Sequence, residues 1–264
     1  MTKIDGKTIW ITGASSGIGE ALTYSLDQKN CKLILSSRRL NELQRVKNNC
    51  VNKKNISILA LDIAAIDMAK SKVDEAFAKF DKIDILINNA GISQRSLIID
   101  TDIAVDKKLM DVNYLGTIAL TKAILPYFIK QGSGHYVTVT SLMGKFGSPY
   151  RSGYCGAKHA LHGFFDVLRM EHEKDGIAVT LICPGFVNTN VAKNALTGNG
   201  NMQNQNDTAT ENGISTELCA KKIIKAMEHQ KFEAYIGRKE KLAVYVKRFF
   251  PKLLHRVVLK SKVK

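Results

Sequence analysis

The 264-residue chain is 45% hydrophobic, 24% charged and 7% aromatic. That composition suits one large α/β domain with a full core and excludes a disordered, collagen-like or disulfide-stapled polypeptide. Its 39 Lys and Arg against 24 Asp and Glu leave a net charge of +15, concentrated after Arg238, so a basic body faces an anionic ligand and a basic tail faces an anionic surface. Cys31, Cys50, Cys155, Cys183 and Cys219 are odd in number and lack metal-type spacing, which reads as free thiols in a reducing compartment. Residues 1–6 hold no apolar run of signal-peptide length, and no stretch reaches the roughly 18 uninterrupted apolar residues of a membrane span. The expected address is the cytoplasm.

Apolar runs rich in β-branched residues occur at 7–12, 32–37, 57–61, 83–88, 135–141, 178–183 and 233–236, the pattern of strands buried on both faces of a parallel sheet. Amphipathic stretches such as 19–29, 39–49, 65–80 and 161–174 separate them. The alternation predicts a Rossmann-type doubly wound three-layer α/β sandwich with a parallel sheet of about seven strands and ligands at the strands' carboxyl ends. No linker divides residues 1–237, which read as a single domain. Within it, residues 188–213 carry eight Asn, two Gln and no aromatic residue, a long surface loop of the kind that serves as a lid. Residues 238–264 read as a basic amphipathic tail.

The first strand runs straight into Gly13-Ala14-Ser15-Ser16-Gly17-Ile18-Gly19 and then a helical pattern. Glycines permit the tight turn and a close approach of backbone to a pyrophosphate, at which the next helix points its unpaired N–H groups. Where a site selecting NAD places an acid, at the end of the second strand, this chain has Ser37, Arg38 and Arg39. A guanidinium fork matches a phosphate, so Arg38, with Arg39 or Ser15 assisting, points to the 2′-phosphate of NADP; the alternative is a pair of solvated helix-start residues. Asp62, before Ile63 at the end of the third strand, suits either the adenine amino group or a helix N-cap.

Four further positions stand at strand or helix ends: the Asn88-Asn89-Ala90-Gly91 turn, Asn113, Ser141, and Tyr154 with Lys158. Four residues apart on a helix, Tyr154 and Lys158 share a face. An ammonium beside a phenol stabilises the phenolate, and bringing a phenol from about 10 toward 7 takes roughly 4 kcal/mol. A phenol so tuned is a general acid or base for a carbonyl oxygen.

Together, the glycine turn, the Asn-Asn-Ala-Gly turn, the strand-end Ser and Tyr-x₃-Lys resemble the short-chain dehydrogenase/reductase (SDR) family, in order and spacing, over residues 7–231. Gly91-Ile92-Ser93-Gln94-Arg95-Ser96, residues 146–155, 160–165 and 194–198 are especially similar to the family's member-7 branch. The resemblance implies that Tyr154 exchanges a proton with the carbonyl or alcohol oxygen while NADP(H) exchanges hydride with its carbon. Ser141 would hydrogen-bond that oxygen, Lys158 would depress the phenol's pKa and bind the nicotinamide ribose, and Asn113 would place a water against Lys158. Gly13, Ser15, Ser16, Gly17, Ile18, Gly19, Arg38 and Arg39 would lie along the adenosine half of the cofactor, with Asp62 and Ile63 at its adenine. Asn89, Ala90 and Gly91 would follow the ribose, and Pro184, Gly185, Val187 and Thr189 would flank the nicotinamide. The family implies NADP(H) in preference to NAD(H) here, a small hydrophobic carbonyl or alcohol (steroid-, retinoid- or acyl-like), and a homodimer or homotetramer. Members of that branch carry an N-terminal membrane anchor, and with the first strand starting at about residue 7 that part is not expected here.

Other signals are discounted. His159, His162 and His172 share one helical segment without a third ligand, so no metal is expected, and Cys155 reads as a small buried thiol. No base-reading motif is present, which argues against nucleic acid. The tail's apolar stripe of Leu242, Val246, Phe249, Leu253 and Val257 is flanked by Lys241, Lys247, Arg248, Lys252 and Arg256 and broken by Pro251. It suits either peripheral contact with anionic lipid or packing over the substrate mouth or a partner subunit. The competing reading of the whole chain is a non-catalytic NADP-binding or membrane-surface protein that keeps the same body.

Overall fold

The computed structural model describes residues 3–261. Its strands are β1 (Thr8–Thr12), β2 (Lys32–Ser37), β3 (Ile56–Ala60), β4 (Ile85–Asn88), β5 (Gly134–Val139), β6 (Ile177–Pro184) and β7 (Glu233–Ile236), all parallel, in the sheet order β3-β2-β1-β4-β5-β6-β7. Strand order reverses between β1 and β4, and it is above that switch point that such sheets bind ligands.

The apolar runs are continuous because both faces are covered. In β1, Ile9 and Ile11 face a layer built from α1 (Gly17–Asp27), α2 (Leu40–Asn48) and, later in the chain, α8 (Thr216–Glu228), through Leu22, Leu26, Leu43, Val46, Ile223 and Met227. Trp10, between them, faces the opposite layer of α3 (Ala69–Phe80), α5 (Gly116–Gln131) and α6 (Ser152–His172) and donates its indole N–H to Ser36 Oγ at 2.8 Å. Leu120, Ile124, Phe128, Leu161 and Phe165 complete that side.

The seven strands lie where the apolar runs place them, with ends shifted by a residue or two. β3 stops at Ala60 and β5 at Val139, so Asp62 and Ser141 stand in the turns beyond their strands. α6 begins at Ser152, well before the apolar periodicity becomes visible at 161, because Gly153 and Gly156 dilute it. α4 (Ile103–Met110) joins α5 through a widened, π-type turn at Asp111–Leu115. The combined helix Ile103–Gln131 is long and apolar enough to cross a membrane by length and composition; Leu120, Ile124 and Phe128 pack into the core, and Val105 and Leu109 pack with Leu196, Ile92 and Tyr154.

Residues 188–213 are mostly exposed, with a few buried anchors. Ala192, Ala195, Leu196, Asp207 and Thr210 are buried, the short α7 (Thr208–Glu211) begins at Asp207, and Leu196 bridges to Gln94. Small residues and one carboxylate anchor this Asn-rich segment, which apolar periodicity does not detect. In the tail, α9 (Ala243–Phe249) and α10 (Pro251–Lys260) meet at Pro251. Leu254 is buried with Leu142, Phe146 and Cys183, while Leu242, Phe249, Phe250, Leu253 and Val257 remain exposed.

Candidate active site

The glycine turn is shaped by backbone contacts. Gly13 and Gly17 have φ of +66° and +57°, in the left-handed region. A Cβ on Gly13 would sit 2.9 Å from the Ala90 Cα, one on Gly17 3.2 Å from the Thr189 methyl, and one on Gly19 against the Gly13 carbonyl. The turn is therefore held against the β4 end on one side and Thr189 on the other. Ser16 stands at the N-cap of α1 without its side chain capping the helix, because its hydroxyl, like that of Ser15, accepts from Arg39 Nη2 at 2.9 Å. The first N–H groups of α1 thus lack a capping side chain and are suited to a phosphate. Buried Ser15 and half-buried Ile18 line the turn.

Thr12, not singled out by sequence, ties β1 to β4. Its Oγ1 accepts the backbone N–H of Asn89 (3.0 Å) and Ala90 (3.1 Å), and Asn89 Nδ2 donates back to the Thr12 and Gly13 carbonyls at 3.0 and 3.2 Å. A hydroxyl at the last position of an otherwise apolar strand is the signal that could have found it. Arg39 lies on the phosphate turn, whereas Arg38 is exposed beside it. Asp62 is exposed, with Oδ1 accepting from the Ala64 N–H at 3.1 Å in the turn after β3. Ile63 presents its carbonyl to Gly116, where a Cβ would collide with it.

On the other side of the switch point the candidate side chains converge. Asn113 sits in the widened turn, fully buried, its Oδ1 accepting from Ile92 N–H at 2.9 Å and its Nδ2 donating to the Ile92 carbonyl at 3.0 Å. π-type widenings of this kind concentrate at functional sites. A Cβ on Gly91 would meet Asn113 Oδ1 at 2.7 Å and Lys158 Nζ at 3.6 Å, which places all three together. Lys158 Nζ donates to the Val139 carbonyl at 2.9 Å and lies 5.8 Å from the centre of the Tyr154 ring. Ser141 starts the turn after β5, its Oγ accepting from Met143 N–H at 3.1 Å and donating to the Pro184 carbonyl at 3.4 Å, and it lies near enough to the Tyr154 phenol to favour its ionised form. Past β6, Gly185 N–H donates to the Ile236 carbonyl at 2.7 Å, buried Val187 bridges to Ile214, and Thr189 lies against Gly17.

The electrostatics differ from the expectation that Lys158 pulls the phenol down. Burial pushes the Tyr154 phenol above its ordinary value, opposed by Ser141 and by Arg95 and Arg151. Lys158 is itself drawn down from 10.5 to about 8 by burial. Both groups are desolvated, which disfavours the charged form of each, and burial is the largest cause of each shift. An added positive charge near the phenol would act in the opposite direction.

Sequence reasoning missed Gln94, Arg95 and Asp207 as site residues. Gln94 is fully buried and its Oε1 accepts the N–H groups of Gly153 (2.9 Å) and Tyr154 (3.4 Å), so a side chain from the β4–α4 loop caps the helix that carries the phenol. The histidines scatter: His159 bonds the Cys155 carbonyl, His162 lies between Thr140 and Glu233, and His172 pairs with Asp175. Among the described residues no group of three or more His, Cys, Asp or Glu side chains is placed to hold a metal, and all five cysteines are buried and unpaired as disulfides.

A model of the short chain dehydrogenase family matches residues 7–200. The chain belongs to the short-chain dehydrogenase/reductase family. It is 40% identical over 250 residues to "Dehydrogenase/reductase SDR family member 7" of Homo sapiens, covering 92% of this chain and 74% of that protein. It is 37% identical to a "Dehydrogenase/reductase SDR family protein 7-like" of Drosophila melanogaster, covering 99% and 82%. These relatives place the SDR chain in the member-7 branch of this oxidoreductase family. Among solved structures, a short chain dehydrogenase/reductase from Burkholderia phymatum in complex with NAD superposes with a TM-score of 0.84 at 22% identity over 96% of both chains. ElxO with NADP bound superposes with a TM-score of 0.73 at 23% identity, over 88% of this chain and 96% of that one. Both share this SDR chain's fold, and each of those proteins holds a nicotinamide dinucleotide.

Proposed function

We propose that this SDR chain is an NADP(H)-dependent carbonyl reductase or alcohol dehydrogenase acting on a hydrophobic small molecule. The observation that carries the reading is the gathering of Asn113 and Lys158 at Gly91, with the Tyr154 ring beside Lys158 and Ser141 beside the phenol, next to the Ala90 that packs on Gly13 of the glycine turn. Hydride is what the bound dinucleotide supplies. The chain's own residues do the rest. Ser141 and Tyr154 hold the substrate oxygen between two hydroxyls, and Tyr154 gives that oxygen a proton in reduction or takes it in oxidation. Lys158 lies behind the phenol as the next proton carrier, and Asn113 fixes the loop on which both lean.

The preference for NADP(H) rests on Arg38 and Arg39, the one exposed beside the turn and the other fastened to Ser15 and Ser16. A hydrophobic substrate is supported by the apolar surroundings of the phenol, which packs with Val105, Leu109, Leu196 and Ile92. Exposed Val167 and Met170 on α6 and Ile129 on α5 support pairing of subunits into a homodimer or homotetramer. The tail, anchored through Leu254 with apolar residues outward beside Lys247, Arg248, Lys252 and Arg256, supports peripheral contact of a cytoplasmic protein with anionic lipid.

The test is NADPH oxidation against a panel of aldehydes, ketones, steroid carbonyls and 3-ketoacyl compounds, run beside Tyr154→Phe. Activity in the wild type and its loss in a variant that still binds NADPH supports the reading. Equal activity in both removes Tyr154 from the chemistry. NADPH binding without turnover of any panel member would favour the non-catalytic reading.

A further inference from the structure

The mostly exposed segment 188–213 is fastened through a buried ion pair. Arg95 donates from Nε and Nη2 to Asp207 Oδ2 at 3.0 and 2.7 Å, and both side chains are almost wholly buried, at 4% and 3% exposure. Arg95 Nη1 donates to Ser93 Oγ at 2.8 Å and the Gln94 carbonyl at 2.7 Å. Asp207 Oδ1 takes the N–H of Thr210 at 2.8 Å, and its Oδ2 is shared with Arg151 Nη2 at 3.4 Å. Arg151 stands at the N-cap of α6, one turn ahead of Tyr154. The backbone repeats the link: Arg95 N–H donates to the Leu196 carbonyl at 2.8 Å, and Leu196 N–H donates to the Ser93 carbonyl at 2.9 Å. The neighbouring Gln94 caps Gly153 and Tyr154 themselves.

Burying such a pair brings little net stability, since desolvation consumes most of the attraction, whereas removing one partner strands the other. An apolar contact would hold a loop as well. What the ions add is geometry, through two guanidinium N–H groups converging on one carboxylate oxygen from a fixed direction, and a field near the phenol. We propose that Arg95 and Asp207 are positioning residues for Tyr154: their ion pair joins the 188–213 segment to the start of α6, so that seating that segment over the site and setting the phenol in place are one event. This rests on the reading of Tyr154 as the proton carrier.

The charged and titratable groups around the phenol come from every element packed against it. They are Arg151, Cys155 and Lys158 on α6, Arg95 on the β4–α4 loop, Asp106 on α4, whose carboxylate lies against Gly153, and Asp207 on the segment. Arg95 and Arg151 favour the phenolate. Neutralising Arg95 and neutralising Asp207 should therefore move the phenol's titration in opposite directions.

The experiment is an ultraviolet phenolate titration of the full chain, alone and with NADP+ added, the Tyr154 step being isolated by subtracting the Tyr154→Phe trace. Arg95→Met is expected to move the step up by at least ~0.5 pH unit, Asp207→Asn to move it down by a similar amount, and Arg95→Lys to leave it in place. If Asp207→Asn does not fold, the contrast between Arg95→Met and Arg95→Lys decides. A Tyr154 step at the wild-type pH in all folded variants, or one moved the same way in all of them as a loosened fold would do, overturns the role of the pair. Identical traces for the wild type and Tyr154→Phe overturn the reading of Tyr154 itself, a different result from either.

Discussion

Replacing Lys158 by Met separates what the ammonium does for chemistry from what it does to the fold. The side chain is 4% exposed, donates to the Val139 carbonyl at 2.9 Å, and is drawn by burial from 10.5 to about 8. At ~1.36 kcal/mol per unit, that shift means the fold disfavours the charged form by about 3 kcal/mol. Below the folded value of about 8, lysine is charged in folded and unfolded chain alike and the penalty is present in full. Because the folded value is the lower one, the unfolded chain binds more protons between about 8 and 10.5, and wild-type stability rises across that window until the penalty is gone. Methionine of similar length carries no such penalty but leaves the Val139 carbonyl without this donor, a loss of ~1–3 kcal/mol. Near neutral pH the variant should therefore match the wild type or exceed it by up to ~2 kcal/mol in urea unfolding, and it should fall below the wild type once the amine is neutral. Turnover should fall at least ~100-fold throughout. A stability difference that is constant across the window, or a variant already several kcal/mol weaker at neutral pH, would refute the idea that burial of the charge opposes folding.

Three further outcomes follow from single contacts. Tyr154→Phe should keep NADPH affinity within a few-fold by fluorescence titration while lowering turnover ~10²–10⁴-fold. Arg38→Asp should raise the KM for NADPH far more than that for NADH, shifting the preference at least ~10-fold, because a carboxylate repels a 2′-phosphate and accepts from a free ribose; an unchanged ratio would assign the role to Arg39 alone. Lys252→Glu with Arg256→Glu, both exposed on α10, should abolish co-sedimentation with phosphatidylserine vesicles at low salt, at ~1 kcal/mol for each basic residue lost, and leave the melting temperature within ~2 °C.

Gly116 shows how a helix position is decided by a neighbour rather than by propensity. Alanine there would gain up to ~1 kcal/mol of helix preference, yet its methyl would collide with the Ile63 carbonyl, and overpacking against backbone costs ~1–3 kcal/mol. Gly116→Ala should therefore destabilise, lowering the melting temperature by several degrees and weakening dinucleotide binding through the displaced Ile63. A rise in the melting temperature would mean that the β3–α3 loop gives way freely.

What the sequence made legible follows the range of each interaction. The strands were readable because each is apolar on both faces, a local property of five or six consecutive side chains. Tyr154 and Lys158 were readable because one helical turn joins them. Thr12, Gln94 and Asp207 were not, because each acts across 50 residues or more of chain: Thr12 on Asn89 and Ala90, Gln94 on Gly153, and Asp207 on Arg95 and Arg151. The Asn-rich composition of 188–213 suggested a free loop because a single buried carboxylate and two alanines leave no periodic trace. The direction of the phenol's shift was illegible for a related reason. Spacing along a helix shows that an ammonium is near, whereas the depth at which both groups lie, the largest cause of each shift, is set by the packing of β5, α4 and the 188–213 segment around them. The phenol and ammonium are thus fixed by the local sequence, and their proton affinities by the elements that bury them.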